Sequence, residues 1–176
     1  MNKTKIKTII LWILIIFIPL TLSILFTKNF SIIGVSGDSM SPTYNSGAQI
    51  LIRITEPEIG DIIAFVRDDS WIYDRYFTQT HNFVKRIVAM PGDSIEISKN
   101  NLIVTRNNIE VNRINLSNET VYRPIRIENI NGYFVMGDNI GGSNDSLLQL
   151  SKNNESFLVE SSSIIVTGKE VFSWRP

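Results

Sequence analysis

The stretch GVSGDSMSPTY, Gly34 to Tyr44, sets three serines, Ser36, Ser39 and Ser41, among two glycines, an aspartate and a proline. A serine hydroxyl ionises too weakly near neutral pH to attack an acyl carbon unaided, so a nucleophile here needs a base within hydrogen-bond reach. The chain offers few. It contains one histidine, His81, and no cysteine. A histidine-based triad would have to pass through His81, and disulfides, thiolate chemistry and multi-histidine metal sites are excluded. His81 lies in DRYFTQTHNF, a polar and aromatic stretch that reads as a hairpin loop. Lys85 is a different kind of base. In FVKRIV it stands among strand-forming residues, and strand alternation puts Phe83, Lys85, Ile87 and Ala89 on one face. An amine on an apolar face loses hydration, which lowers its pKa and favours the neutral base. The same pattern also describes an edge-strand lysine whose amine reaches into water. Arg86 faces the other way. Composition alone selects none of the three serines.

The elements that must position these groups begin with an N-terminal anchor. Lys3, Lys5 and Lys7 precede a run without charge from Ile9 to Phe26. At 1.5 Å per residue that run is about 27 Å long as a helix, close to the roughly 30 Å of bilayer hydrocarbon. Pro19 interrupts it, which membrane helices tolerate. Three lysines before the run against Lys28 after it place the N-terminus in the cytoplasm and the rest of the chain outside. A cleavable leader would end in small residues spaced Ala-x-Ala; SILFTKNFSI has no such site. The expected organisation is therefore a cytoplasmic tip and membrane anchor over 1–29, with Trp12 facing lipid or the interface and carrying no chemistry, and an extracytoplasmic domain over 30–176.

That second part is punctuated as short strands with tight turns. Ala48 to Ile54, Asp61 to Val66 and Phe83 to Met90 read as strands, the last ending at Pro91-Gly92, a pair suited to a type II turn. SIEI, LIVT and IEVN follow as a meander with Asn-rich turns, and GYFVMGD and SIIVTGKEVF supply two more strands. Helical periodicity outside the anchor is confined to Ser146–Leu150, and the polar segments Asn115–Thr120 and Ser151–Ser156 read as exposed loops. The expected fold is mainly β, an antiparallel sheet or partial barrel behind one transmembrane helix. Seventeen Lys and Arg balance seventeen Asp and Glu, so no basic field invites nucleic acid.

GDSMSPTY resembles the nucleophile motif of the type I signal peptidases, and three more segments match that family in order. GDIIAFV resembles the strand after the nucleophile, FVKRIVAMPGDSIEI the lysine segment, and YFVMGDNIGGSNDS, Tyr133 to Ser146, the last conserved box. The resemblance implies Ser39 as nucleophile and Lys85 as general base, with no metal or cofactor needed. It implies Ser143 as the serine that hydrogen-bonds and orients the lysine amine, Asp138 and Asp145 as structural acids, and Arg86 as the partner of Asp138. Two positions depart: Ile140 and Leu147 stand where the family usually has arginines, which leaves Asp145 without its usual partner. Gly37 stands where members from outer-membrane bacteria often have a serine whose hydroxyl helps bind the oxyanion. This resembles members from single-membrane bacteria and leaves the oxyanion to the Ser39 N–H and a second donor near Gly37. The implied substrates are signal peptides of exported preproteins, cut after small residues and bound as extended chain, with Ala48–Ile54 and Val84–Val88 as pocket candidates. The implied enzyme is a monomer working at the bilayer, since thirteen residues separate Phe26 from Ser39 and span at most about 45 Å. WIYDRYF, Trp71 to Phe77, reads as an aromatic rim at lipid headgroups or as a hairpin tip. A specialised pilus or conjugative-transfer peptidase, or a silent anchored assembly factor, are the alternatives. A self-cleaving repressor would be cytoplasmic and carry a DNA-binding module, which this chain does not show ahead of Ser39.

Overall fold

The computed structural model describes residues 3–67, 81–98, 100–116, 124–152 and 157–174. Trp71 to Phe77 lie outside them. Helix α1, Lys3–Asn29, contains the apolar stretch, and its segment Ile10–Asn29 is long and apolar enough to cross a membrane. Side chains from Ile10 to Phe26, Trp12 included, are exposed. The chain passes from α1 into strand β1, Phe30–Gly34, without a linking residue, and the rings of Phe26 and Phe30 stack at 5.0 Å across the junction.

Nine further strands follow: β2 Gln49–Ile54, β3 Ile62–Arg67, β4 His81–Ala89, β5 Ser94–Ile97, β6 Asn101–Arg106, β7 Ile109–Asn115, β8 Ile125–Ile127, β9 Phe134–Met136 and β10 Ile164–Trp174. Helix α2, Ser146–Ser151, lies between the last two. Six strands form one sheet in the order β1-β2-β10-β3-β4-β9, and four form a second in the order β7-β6-β5-β8. Every pairing is antiparallel, as the strand-and-turn punctuation predicts. The turn residues act as their chemistry requires. Gly92 takes φ +90° and the Asp93 N–H closes on Met90 O at 3.0 Å; Asn107 and Asn108, both at positive φ, join β6 to β7 in a two-residue hairpin.

Period-two burial makes the core. Ile95 and Ile97 face Val104 and Leu102 across β5 and β6, and this layer packs under Phe134, Met136 and Leu147. A second cluster joins Ile50, Ile52 and Ile62 to Met40 and Tyr44 of the loop after β1; a third joins Ile63, Phe65 and Ile87 to Val135. Several expectations need correcting. His81 lies on β4, opposite Arg67, rather than in a loop. Ala89 leaves the face shared by Phe83 and Ile87, because the β4–β9 register shifts between Ile87 and Ala89 and carries Ala89 into the cluster of Val88. Leu116, expected in an exposed loop, is buried. β1 and β8 escape a pattern reading, the first because its apolar residues continue those of the helix and the second because three residues carry no periodicity.

Gly168 occupies the middle of the large sheet, pairing with Ile54 on one side and Ile62 on the other. A Cβ there would stand 2.2 Å from the Arg53 carbonyl oxygen. Gly168→Ala is therefore expected to force β2 and β10 apart and to lower stability by about 1–3 kcal/mol, read as a fall in Tm by circular dichroism. An unchanged Tm would mean that the pair relaxes at no cost.

Candidate active site

The loop between β1 and β2 is folded onto the core by its own apolar residues. Val35 is buried and bonds Ala48 O, Met40 and Tyr44 are enclosed, and the Tyr44 N–H closes on Met40 O at 2.8 Å. That turn lifts Ser39 toward β4 while Ser36 stays exposed and the Ser41 hydroxyl donates to Asn45 Oδ1 at 3.2 Å. Only Ser39 of the three meets a base. Lys85 Nζ lies 2.6 Å from Ser39 Oγ. His81 sits four residues from Lys85 along β4, about 13 Å at strand spacing.

Lys85 is 2 % exposed and its amine sits 5.9 Å from the centroid of the Phe83 ring. Burial lowers its pKa from the ordinary 10.5 to about 8, against the opposing pull of the Asp145 and Asp138 charges. The amine therefore carries a substantial neutral fraction near physiological pH, which an exposed lysine does not.

The segment after β9 closes the site from the other side. Gly137 would lie opposite Lys85 if the β4–β9 register continued past Met136. A Cβ on Gly137 would come within 2.2 Å of the Ser39 carbonyl oxygen and 2.3 Å of Ser143 Oγ, so only glycine lets these two strands of structure meet. Asn139 grips the nucleophile loop twice: its N–H donates to Ser39 O at 3.1 Å and its side-chain amide to Asp38 O at 3.0 Å. Neither Gly137 nor Asn139 was assigned a role by sequence reading; the Gly-Asp-Asn run within the last box was the available signal.

The acids take distinct positions. Asp138 receives a bidentate pair from Arg86, at 2.9 and 2.7 Å, and Arg86 also donates to Gly60 O at 2.8 Å. Burial pushes the Asp138 carboxyl up, yet Arg86 outweighs it and holds the group below the usual carboxylate range. Asp145 is buried and caps α2, accepting from the N–H groups of Leu147 and Leu148, and also accepts from Gly137 N at 3.0 Å. Enclosure raises its pKa against those donors. Backbone amides thus serve Asp145 where an arginine was expected to be missing. Leu147 is buried, and Ile140 packs beside it on the same core cluster, so the two departures add apolar contact to the box.

Two expectations about the surroundings change. Ser143 does not hydrogen-bond the lysine: its hydroxyl is enclosed, lies beside the Asp145 carboxylate, and closes no bond of good geometry among the described residues. Gly37 adopts φ +77°, and its N–H is taken by Ser46 Oγ at 3.1 Å, whereas the Ser39 N–H has no acceptor among the described residues. A cleft of ≈ 370 Å³ opens on Ser39 and Lys85, walled by Gly34–Ser36 of the β1 end and Asn82–Val84 of β4, and lined also by Asn144. The pocket candidates of 48–54 do not line it, and Ala48, Ile50 and Ile52 are buried in the core. Val88 lines a separate cavity of ≈ 360 Å³ with Ile140 and Arg86.

Two substitutions test this arrangement. Gly137→Ala should displace Ser39 and Ser143 and cut catalytic turnover at least 100-fold, since a shift of about 1 Å at a reacting group has that effect; retained turnover would show that the contact is not limiting. Lys85→Met should raise stability. Below about pH 8 the folded protein carries an ammonium against its burial, at a cost of roughly 3 kcal/mol that fades as pH rises from 8 to 10.5. Unfolding midpoints of Lys85→Met and the unmodified protein should differ at pH 7 and converge above pH 10.

Residues 6–172 match the family described as signal peptidase, peptidase S26. Among curated relatives, signal peptidase I P of Bacillus subtilis subsp. natto is 32% identical over 90% of this chain and 89% of its own length. Signal peptidase I U of Bacillus subtilis strain 168 is 30% identical over 93% and 89%. A crystal structure of a signal peptidase I from Enterococcus faecalis V583 aligns over 66% of this chain and 99% of that one, at 22% identity and a TM-score of 0.42. With nearly the whole chain covered by the family match, this protein belongs to the signal peptidase family, peptidase S26.

Proposed function

We propose that this chain is a membrane-anchored serine endopeptidase that removes signal peptides from exported preproteins after small residues, with Ser39 as nucleophile and Lys85 as general base. The observation that carries the assignment is the 2.6 Å approach of a buried amine to Ser39 Oγ. Neutral Lys85 takes the hydroxyl proton as Ser39 Oγ attacks the scissile carbonyl carbon, giving a tetrahedral oxyanion. The Ser39 N–H is the donor available to that oxygen. Collapse breaks the C–N bond, the ammonium returns its proton to the departing amine, and an acyl-enzyme remains. Water, deprotonated by the same amine, attacks the ester, releasing the signal peptide as a carboxylic acid and restoring Ser39. Asp138 fixes β4 through Arg86, and Asp145 fixes the Gly137 segment; neither touches the reacting atoms.

The cleft fits an extended peptide. From His81 to Lys85 strand β4 pairs, among the described residues, only with β3, since β9 ends with Met136 opposite Arg86, and Gly34–Ser36 continue the edge strand β1. A chain laid between these edges gains backbone hydrogen bonds, while Val35, Phe83 and Val84 leave room for small apolar side chains.

The bilayer side is supported by a second surface. Ile32, Leu51 and Phe172 form one row across β1, β2 and β10, with Trp174 one row further. Ile32, Phe172 and Trp174 are exposed, and the row starts three residues past the end of α1. Such an apolar and aromatic face beside a span suits the membrane interface, with the N-terminal lysines inside and the catalytic domain outside.

The full chain, purified in detergent and given a preprotein with an Ala-x-Ala site, should cleave it, and both Ser39→Ala and Lys85→Ala should lose at least 1,000-fold in rate. An intact preprotein with folded protein would end the enzymatic reading; an active Lys85→Ala would remove the dyad. Because the base must be neutral, kcat/KM should fall as pH drops below about 8 and level off above it. A profile flat from pH 6 to 9 would contradict that role.

A further inference from the structure

The end of the nucleophile turn is held by a residue far away in sequence. Tyr44, five residues after Ser39, is 1 % exposed within the cluster of Met40 and Ile52, and its hydroxyl donates to the Glu170 carboxylate on β10. Glu170 pairs with Ile52, and the register shifts immediately after it, so that Val171 is the extra residue of a bulge. Bulges re-aim side chains. Here the carboxylate is turned to the face on which Ile52 and Tyr44 are buried. Burial and the neighbouring carboxylate push the Tyr44 phenol up to about 12, so it stays a donor throughout the working range.

Tyr44 also completes a ring of contacts around the dyad. The Arg86 guanidinium lies beside the Tyr44 hydroxyl. Arg86 holds Asp138, and the next residue, Asn139, holds the carbonyls of Ser39 and Asp38. Met40 O, accepting from Tyr44 N–H, returns the ring to the nucleophile turn. Arg86 immediately follows Lys85, so a displacement of Tyr44 moves both sides of the 2.6 Å contact.

We infer that Tyr44 and Glu170 form a positioning pair, in which the last strand sets the distance between Ser39 and Lys85 through a hydrogen bond to the nucleophile turn. The pair rests on the reading of Ser39 and Lys85 as the reacting groups and touches no substrate. Phe at position 44 keeps the ring in its cluster and removes only the hydroxyl. Gln at position 170 keeps an acceptor, whereas Ala removes it.

The test measures kcat and KM of the full chain in detergent on an Ala-x-Ala preprotein, with Ser39→Ala alongside and each variant assayed well below its Tm. Tyr44→Phe and Glu170→Ala should each lower kcat about tenfold, with KM within twofold of the unmodified protein. Glu170→Gln should restore most of the rate, and Tyr44→Phe combined with Glu170→Ala should be no slower than either alone. Unchanged kcat in Tyr44→Phe would overturn the pair, as would losses that multiply in the double variant or a Glu170→Gln as slow as Glu170→Ala. Loss of cleavage in Ser39→Ala beside an unaffected Tyr44→Phe would leave the dyad standing and remove the pair alone; a fully active Ser39→Ala would remove the reading on which the pair rests.

Discussion

Everything near the site follows from enclosing one amine. Water gives an ammonium several kcal/mol of solvation that a protein interior does not replace, so Lys85 can be buried only where its proton is readily given up or where carboxylates answer it. This structure does both in part. Desolvation dominates, and the Asp138 and Asp145 charges lie near enough to moderate it without forming an ion pair with the amine. A direct carboxylate contact would have held the proton firmly. The two acids are instead occupied elsewhere, one by Arg86 and one by backbone N–H groups.

That division explains how the box after β9 does without the arginines that the family resemblance led one to expect at 140 and 147. Asp145 is stabilised by the first amides of α2 and by Gly137, donors that cannot leave as a side chain can. Leu147 and Ile140 then contribute to the hydrophobic cluster beneath the small sheet. Packing in place of charge pairing at a buried position is often neutral or favourable.

Much of this was legible in the residues. Alternation and turn chemistry specify the antiparallel strands, the Pro91-Gly92 turn and the β5–β7 meander, because those signals are local. Lys85 on an apolar face is likewise a local pattern. Choosing Ser39 over Ser36 and Ser41 required the family motif, since the difference lies in which hydroxyl reaches β4. The grip of Asn139, the close approach at Gly137, the Tyr44–Glu170 bond and the cleft walls depend on segments 46 to 126 residues apart meeting in space, which no window of sequence displays. The register shift at the end of β4 is of the same kind: period two predicted Ala89 beside Ile87, and pairing with β9 decided otherwise.

The absence of any residue between α1 and β1 carries a mechanical meaning. A catalytic domain on a flexible tether would sweep a volume and meet its substrates at a range of heights. Here the helix runs directly into the edge strand, with the Phe26 and Phe30 rings stacked across the junction, and one wall of the cleft continues from that strand. On the proposed reading the anchor works as a ruler: the depth of the span in the bilayer would set the height at which a peptide bond is cut.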